Sequence, residues 1–130
     1  MKNIIFFTTK YLFYFSLIIL LIVYLFPGSL IGYFLYGNFG KQPDFISNPI
    51  GTSINHLVFF FYLGVLGFIF QINQKKIVNS FSFLFLISII LELLHYFIPN
   101  RAFELNDLYA NSLGVMLAFL MFKFFKKLQS

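Results

Sequence analysis

Four long apolar segments dominate this sequence and restrict what the chain can fold into. Each is close to the roughly 20 residues that an α-helix needs to cross the hydrocarbon core of a bilayer. A bilayer offers no hydrogen-bond partners to free backbone N–H and C=O groups, so the segments should be helices. Their predicted ranges are residues 11–26, 53–70, 78–97 and 107–125, and the first, which is the shortest, could extend back over residues 4–9 with Lys10 reaching the interface. We therefore predict an all-α integral membrane bundle of four transmembrane helices, formed by a single domain over residues 1–130.

The composition also indicates a membrane protein. Hydrophobic residues make up 60% of the chain and charged residues 10%, and the mean hydropathy is +0.88. Soluble domains carry roughly a quarter charged residues. The 22 Phe and 8 Tyr suit lipid-facing surfaces and the headgroup region. We expect a multi-pass protein of the cell membrane whose first partner is the lipid bilayer.

The charge and the cysteine count exclude several classes of function. The chain has no cysteine, which excludes disulfides, thiolate metal sites and cysteine nucleophiles. A formal net charge of +5 could indicate nucleic acid, but the basic residues are spread over loops and ends. They form no stripe that could follow a phosphate backbone. We expect no nucleic-acid partner, and the sequence indicates no resident cofactor.

The distribution of Lys and Arg predicts the orientation of the bundle. With four spans, seven basic residues fall on one side and only Lys41 and Arg101 on the other. Because cytoplasmic loops carry the excess of Lys and Arg, both termini and the loop between the second and third segments should be cytoplasmic. The seven are Lys2, Lys10, Lys75, Lys76, Lys123, Lys126 and Lys127.

The N-terminal region leaves two questions open. A signal peptide is an alternative for the first segment, because Lys2 precedes an apolar run. No small-x-small cleavage motif follows, so a retained helix is favoured. The long connection after it contains an apolar, aromatic stretch over residues 30–36 that is too short to span. We expect this stretch to lie in the membrane interface or to form a re-entrant turn.

Six polar or ionisable residues fall near the predicted outer ends of the last three segments. One begins the second segment, two lie near the end of the third, one is in the following turn, and two begin the fourth. A charged residue at the centre of a spanning helix costs about 2.5–3.5 kcal/mol and is a functional candidate by default. The six are His56, Glu92, His95, Arg101, Asp107 and Asn111.

The spacing aligns these residues within each helix. Glu92 and His95 are three residues apart, and Asp107 and Asn111 are four apart, so each pair shares a helical face. Gly114 continues the second of these faces. Small residues let membrane helices approach closely, and the same holds for Gly64, Gly67 and Ala118. The polar faces should therefore also be the packed faces.

Each of these residues also has a purely structural interpretation. Asp107 could cap the fourth helix, and Asn111 could join helices through a hydrogen bond. His56 could be a solvated residue at a helix end, and Arg101 a solvated turn residue. Glu92 and its partners could form a buried structural ion pair.

Three fragments together resemble the VanZ-like family of small multi-pass membrane proteins, which is named for a protein associated with teicoplanin resistance. They are "HLVFFFYLG" from His56, "ELLHYFIPNR" from Glu92 and "DLYANSLG" from Asp107, and the resemblance covers roughly residues 54–122. It carries over to His56, Glu92, Pro99, Arg101, Asp107, Asn111 and Gly114. His95 departs from it, because the family more often has glutamine there. The resemblance implies a membrane location and a role in the cell envelope or in glycopeptide resistance.

Three functional hypotheses follow. In the first, an outer-leaflet polar site binds an anionic lipid or envelope precursor, with Glu92, His56 and Asp107 as candidate catalytic residues. Arg101, Asn111 and His95 are then the candidate ligand-binding residues. In the second, the E-x-x-H spacing of Glu92 and His95, completed by His56 and Asp107, holds a metal in a membrane-embedded enzyme. In the third, the intramembrane Glu and His serve a proton-linked transporter or an interaction subunit.

Overall fold

The computed structural model describes residues 2–43, 45, 49, 51–71 and 77–128. Within these ranges the chain is all-α and contains no strand. The loop with Lys75 and Lys76, which contributed to the predicted orientation, lies outside the described residues. The helices are α1 (Lys2–Leu25), α2 (Leu30–Tyr36), α3 (Ser53–Gln71), α4 (Ile77–Leu94) and α5 (Leu105–Leu128).

Two of the helices are long and apolar enough to cross a membrane. Among the described residues, these are the stretches Ile4–Leu25 of α1 and Leu105–Leu128 of α5. Shorter apolar stretches occupy Ser53–Ile69 in α3 and Ser80–Leu94 in α4. Because a helix rises 1.5 Å per residue, the 18 residues of α4 and the 19 of α3 extend over roughly 27–29 Å. That length is close to the ~30 Å thickness of the hydrocarbon core.

The first helix begins at Lys2, nine residues before the predicted start at Tyr11. Residues 2–10 contain neither Gly nor Pro, and lysine has a good helix propensity, so Lys10 does not interrupt the helix. One face of α1 is buried, with Phe13, Leu17, Leu20 and Tyr24 at helical spacing.

Helix α4, which corresponds to the third predicted segment, ends at Leu94, three residues before the predicted end at Phe97. The chain continues in a tighter turn, in which the His95 N–H donates to the Glu92 carbonyl at 3.1 Å. Such bonds between residues three apart commonly close the end of an α-helix. Pro99 then prevents further helix. His95 therefore lies just beyond α4 but stays on the side of the bundle that Glu92 faces.

The aromatic stretch of the first connection forms the short helix α2. Its N-cap is Ser29, whose hydroxyl accepts a hydrogen bond from the Gly32 N–H at 2.9 Å. It ends at Gly37, whose φ of 67° is a left-handed conformation that glycine adopts without strain. The large side chains Tyr33 and Phe34 are exposed. The expected placement of this stretch in the membrane interface stays a prediction.

The chain after α2 folds back across the helix. The Ser29 N–H donates to the Phe39 carbonyl at 2.6 Å, and the rings of Tyr33 and Phe39 stack with centroids 4.2 Å apart. A Cβ on Gly32 would lie 1.6 Å from the Lys41 carbonyl oxygen, so only glycine fits there. This packing brings residues 41–43 beside the start of α3, where the Asn55 side chain donates to the Pro43 carbonyl at 2.9 Å.

Close packing of α3 against α5 forms the centre of the bundle. A Cβ on Gly114 would lie 2.4 Å from the Leu57 carbonyl oxygen, and a Cβ on Gly64 would lie 2.6 Å from the Ala118 Cβ. The predicted role of these small residues as contact points between helices is therefore observed. Gly67 has the same role toward α1 and α4, since a Cβ there would meet Phe13 at 3.1 Å and Leu84 at 3.3 Å.

Replacing Gly114 with Ala should destabilise the bundle, because the added methyl group would overlap the backbone of α3. We expect the free energy of unfolding in detergent to fall by about 1–3 kcal/mol, the usual cost of overpacking. Thermal or denaturant unfolding followed by circular dichroism measures it. Met116→Leu, on an exposed part of α5, is the control. Equal stability of the two variants would contradict the close α3–α5 contact.

A candidate polar site within the helix bundle

A cluster of buried polar side chains lies at one end of the bundle. There the C-terminal ends of α1 and α4 meet the N-terminal ends of α3 and α5. The Glu92 and Asn111 side chains have no exposed surface, and His95 and Asp107 are 3% and 4% exposed. Buried polar groups are costly unless they are hydrogen-bonded. In the described part of the chain, every buried side-chain nitrogen and oxygen has a hydrogen-bond partner.

The Tyr24 hydroxyl joins three helices at the centre of this cluster. It donates to Asn111 Oδ1 on α5 at 2.8 Å and makes a short hydrogen bond with His56 Nδ1 on α3. The Tyr24 ring also stacks on the His95 ring, with centroids 5.0 Å apart and an interplanar angle of 19°. Tyr24 is thus the side chain through which α1 reaches the polar residues of the other helices.

The Glu92 carboxylate accepts hydrogen bonds from two directions. Its Oε1 accepts the Glu104 backbone N–H at 3.1 Å, and its Oε2 accepts Asn111 Nδ2 at 3.5 Å. Asn111 Nδ2 also donates to the Ser88 carbonyl at 3.4 Å. Because the Asn111 amide nitrogen faces two acceptors, its oxygen must face Tyr24, and the orientation of the amide is determined.

His95 lies between the Glu92 carboxylate and the end of α1. Its Nδ1 is 3.3 Å from Glu92 Oε1, and its Nε2 is 3.2 Å from the Tyr24 carbonyl oxygen. A carbonyl only accepts, so His95 Nε2 carries a proton. Both ring nitrogens are therefore occupied by contacts within the protein.

Asp107 is the third residue of α5 and lies against two residues of α3. Its Oδ1 accepts the Ser53 hydroxyl at 2.5 Å, and its Oδ2 is 3.5 Å from His56 Nε2. The positive end of the α5 dipole favours a negative charge in this first turn. His56 thus lies between Tyr24 on one side and Asp107 on the other.

Arg101 binds the end of α1. Its Nη2 donates to the Val23 carbonyl at 2.7 Å and its Nε donates to the Phe26 carbonyl at 3.3 Å. These are carbonyls that a helix C-terminus leaves without partners, and a cation there is favourable. Burial lowers the pKa of the Arg101 guanidinium, while Tyr24, Glu92 and Asp107 act in the opposite direction. An arginine remains protonated under such conditions.

A cavity of about 400 Å³ opens beside the polar cluster. Its walls are mostly apolar and come from α1, the first connection, α3 and the turn between α4 and α5. Asn55, His56 and Arg101 are among its polar lining residues, with Ser29 and Gln42. Its apolar lining residues are Ile19, Leu20, Val23, Ile31, Pro43, Phe45, Val58 and Phe59, and Tyr24 also lines it. Among the described residues, Tyr24 and His56 belong to both the polar cluster and the cavity wall, whereas Arg101 lies on the wall alone.

The six residues singled out in the sequence divide into two groups. His56, Glu92, His95, Asp107 and Asn111 lie in one buried network with each other, either directly or through Tyr24. Arg101 lies on the cavity wall and binds α1 carbonyls. Tyr24 and Ser53 were not predicted, because a Tyr near the end of an apolar helix is typical of the aromatic belt and a Ser at a helix start is typical of a cap.

Apolar helices, two of them long enough to cross a membrane, enclose two buried carboxylates and a buried histidine at one end, which is the architecture of a helical membrane protein. The chain belongs to the VanZ/LLP1 family, whose model matches residues 1–126. This match confirms the family resemblance and extends it from residues 54–122 to almost the whole chain. Comparison with curated proteins and with solved structures gives no match.

Removing the Tyr24 hydroxyl should destabilise the protein, because Tyr24→Phe leaves His56 Nδ1 and Asn111 Oδ1 buried without this partner. We expect the free energy of unfolding in detergent to fall by about 1–3 kcal/mol, the usual cost of an unsatisfied buried polar group. Tyr109→Phe, at an exposed position of α5, should have little effect. Indistinguishable unfolding curves for the two variants would show that Tyr24 does not hold the cluster together.

Proposed function

We propose that this protein binds a lipid with an anionic headgroup in the cavity beside the polar cluster. One observation carries the proposal: the cavity combines an apolar wall with polar groups that include Arg101. An amphiphile needs both, since its chain is stabilised by apolar surface and its headgroup by hydrogen-bond donors. An anionic lipid or an envelope precursor on a lipid carrier has this chemistry.

The apolar wall suits an acyl or prenyl chain. Ile19 and Val23 contribute from one face of α1, and Val58 and Phe59 from the facing part of α3. Ile19 and Val58 are also exposed, so the wall continues to the outer surface of the helices. A chain could therefore enter sideways from the bilayer, without passing through water.

The polar end suits an anion. Arg101 uses two of its N–H groups on α1 carbonyls, which holds the guanidinium in place. A guanidinium has five N–H donors in a planar fork that matches carboxylate and phosphate oxygens, so donors remain for a headgroup. His56 connects this end of the cavity to Tyr24 and Asp107.

We also propose that α1, α3, α4 and α5 all span the membrane, with both termini in the cytoplasm. The distribution of Lys and Arg supports this orientation, and the lengths of α3 and α4 are close to the core thickness. The polar cluster would then lie in the outer leaflet, at the end of the bundle that holds Arg101. A single transmembrane domain would account for the whole chain.

Lipid binding is tested with the full chain in detergent, by native mass spectrometry or by competition with a fluorescent lipid. Phosphatidylglycerol should bind more tightly than phosphatidylcholine, because only the former has a net negative headgroup. Inorganic phosphate should compete weakly, because it lacks a chain. Equal binding of both lipids would contradict the proposed role of the polar end.

Two variants distinguish the contribution of the apolar wall to lipid binding from that of the polar end. Val58→Trp should fill part of the apolar wall and weaken binding of phosphatidylglycerol at least about tenfold, equivalent to roughly 1.4 kcal/mol. Ile90→Trp, at an exposed position of α4 away from the cavity, is its matched control. Arg101→Gln should remove the preference for phosphatidylglycerol over phosphatidylcholine. Unchanged binding by Val58→Trp would place the lipid elsewhere.

The topology is tested with single cysteines, since the chain has none of its own. In intact cells, a membrane-impermeant maleimide should label Lys41→Cys and Ala102→Cys. It should label Lys126→Cys and Gln74→Cys only after the membrane is permeabilised. Labelling of both pairs in intact cells, or the reverse pattern, would contradict the proposed orientation.

A further inference from the structure

We propose that His56, Glu92 and Asp107 together bind one divalent transition-metal ion, of which Zn²⁺ is the representative. One ligand atom of each residue lies within 4.8 Å of the other two. The three residues come from α3, α4 and α5, so the fold and not the local sequence brings them together. Imidazole and carboxylate ligands suit Zn²⁺ and neighbouring first-row metals.

The distances fit an ion after a small adjustment. Zinc binds His nitrogen and carboxylate oxygen at about 2.0–2.2 Å, so neighbouring ligands of a tetrahedral ion are roughly 3.4 Å apart. His56 Nε2 and Asp107 Oδ2 are 3.5 Å apart, close to this value. A charge-assisted hydrogen bond between the same atoms would be about 2.7–2.9 Å long. Glu92 has to move inward by about an ångström to complete the set.

The hydrogen-bond network leaves His56 Nε2 with a lone pair that can bind a metal ion. Tyr24 has one proton, and it donates that proton to Asn111 Oδ1. In the short bond between Tyr24 and His56, Nδ1 must therefore be the donor. A neutral His56 with a proton on Nδ1 presents a lone pair at Nε2, toward the Asp107 carboxylate. Two acceptors that face each other repel, and a bound cation converts this repulsion into attraction.

The burial of two carboxylates also supports a bound cation at this position. Glu92 and Asp107 are both buried, and Arg101 is partly occupied with the carbonyls at the end of α1. Buried charges are paired or coordinate metals. A divalent cation between the two carboxylates would neutralise them. Tyr24, Ser53 and Asn111 would then be the outer partners that orient the ligands, as hydrogen-bonded groups around metal sites commonly do.

This ligand set differs from the one expected from the E-x-x-H spacing. His95 Nε2 donates to the Tyr24 carbonyl, and His95 does not belong to the group of residues whose ligand atoms lie within 4.8 Å of one another. His56, 36 residues before Glu92, takes the place of His95 as the imidazole ligand. The metal ligands in this proposal are thus His56, Glu92 and Asp107.

The ion would also give the cavity a second positive group. His56 lies on the cavity wall, so an open coordination position on the metal could accept a headgroup oxygen. Headgroup binding by the metal rests on the proposed lipid-binding function, whereas metal binding itself does not. The two proposals can therefore fail separately: metal binding without lipid binding, or lipid binding that persists in chelator.

The test is metal analysis of the full chain, purified in detergent, stripped with chelator and dialysed against Zn²⁺. Inductively coupled plasma mass spectrometry should give about one ion per chain. Co²⁺ should also bind and produce the visible absorption of a tetrahedral site, which Zn²⁺ should abolish by competition. Wild-type protein with no stoichiometric Zn²⁺ and no such Co²⁺ spectrum would overturn the proposal, whatever the behaviour of the variants.

The variants compare the half-buried His56 with the buried His95. His56→Gln and Asp107→Asn should weaken Zn²⁺ binding at least about tenfold, since even outer partners of a metal contribute ten- to a hundredfold. His95→Gln should still bind one ion at saturation. Ser16→Ala, which removes the hydroxyl pairing with Tyr62 away from the cluster, should leave the affinity unchanged. Loss of the ion in His95→Gln with retention in His56→Gln would overturn the ligand assignment.

Discussion

The arrangement of this end of the bundle depends on the burial of the Glu92 carboxylate. Its side chain has no exposed surface, so bulk water cannot solvate it and the protein must supply its hydrogen-bond donors. The Glu104 N–H and Asn111 Nδ2 donate to it, and His95 lies 3.3 Å away. These partners belong to α5 and to the turn between α4 and α5. Satisfying one buried charge therefore fixes how the two helices and their turn are placed.

The contacts between polar residues of α3 and α5 depend on the small residues where the two helices pack. Gly114 and Gly64 allow α5 to lie directly against α3, which brings Asp107 within 3.5 Å of His56. A larger residue at position 114 would separate the two helices near the cluster and lengthen its hydrogen bonds. In apolar surroundings such polar contacts add orientation to the van der Waals packing, which by itself would allow helices to slide or rotate.

The predictable part of the fold came from length and periodicity. Apolar segments of membrane length required helices, and spacings of three and four placed Glu92 with His95 and Asp107 with Asn111 on shared faces. Antiparallel neighbours then brought these faces to one end. The helix ends were less predictable: the tight turn after Leu94 depends on local hydrogen bonds, and Lys10, which looks like the end of the apolar segment, does not interrupt α1. Tyr24 could not be predicted as the central residue, because its partners lie 32 and 87 residues away.

One connected hydrogen-bond network joins α1 to α5, and a double-mutant cycle between Tyr24 and Asn111 tests this most directly. The free energies of unfolding of Tyr24→Phe, Asn111→Ala and the double variant are compared with that of the wild-type protein in the same detergent. Residues in direct hydrogen-bond contact show coupling of about 0.5–3 kcal/mol. A value in that range is predicted, and additivity within roughly 0.3 kcal/mol would contradict the network.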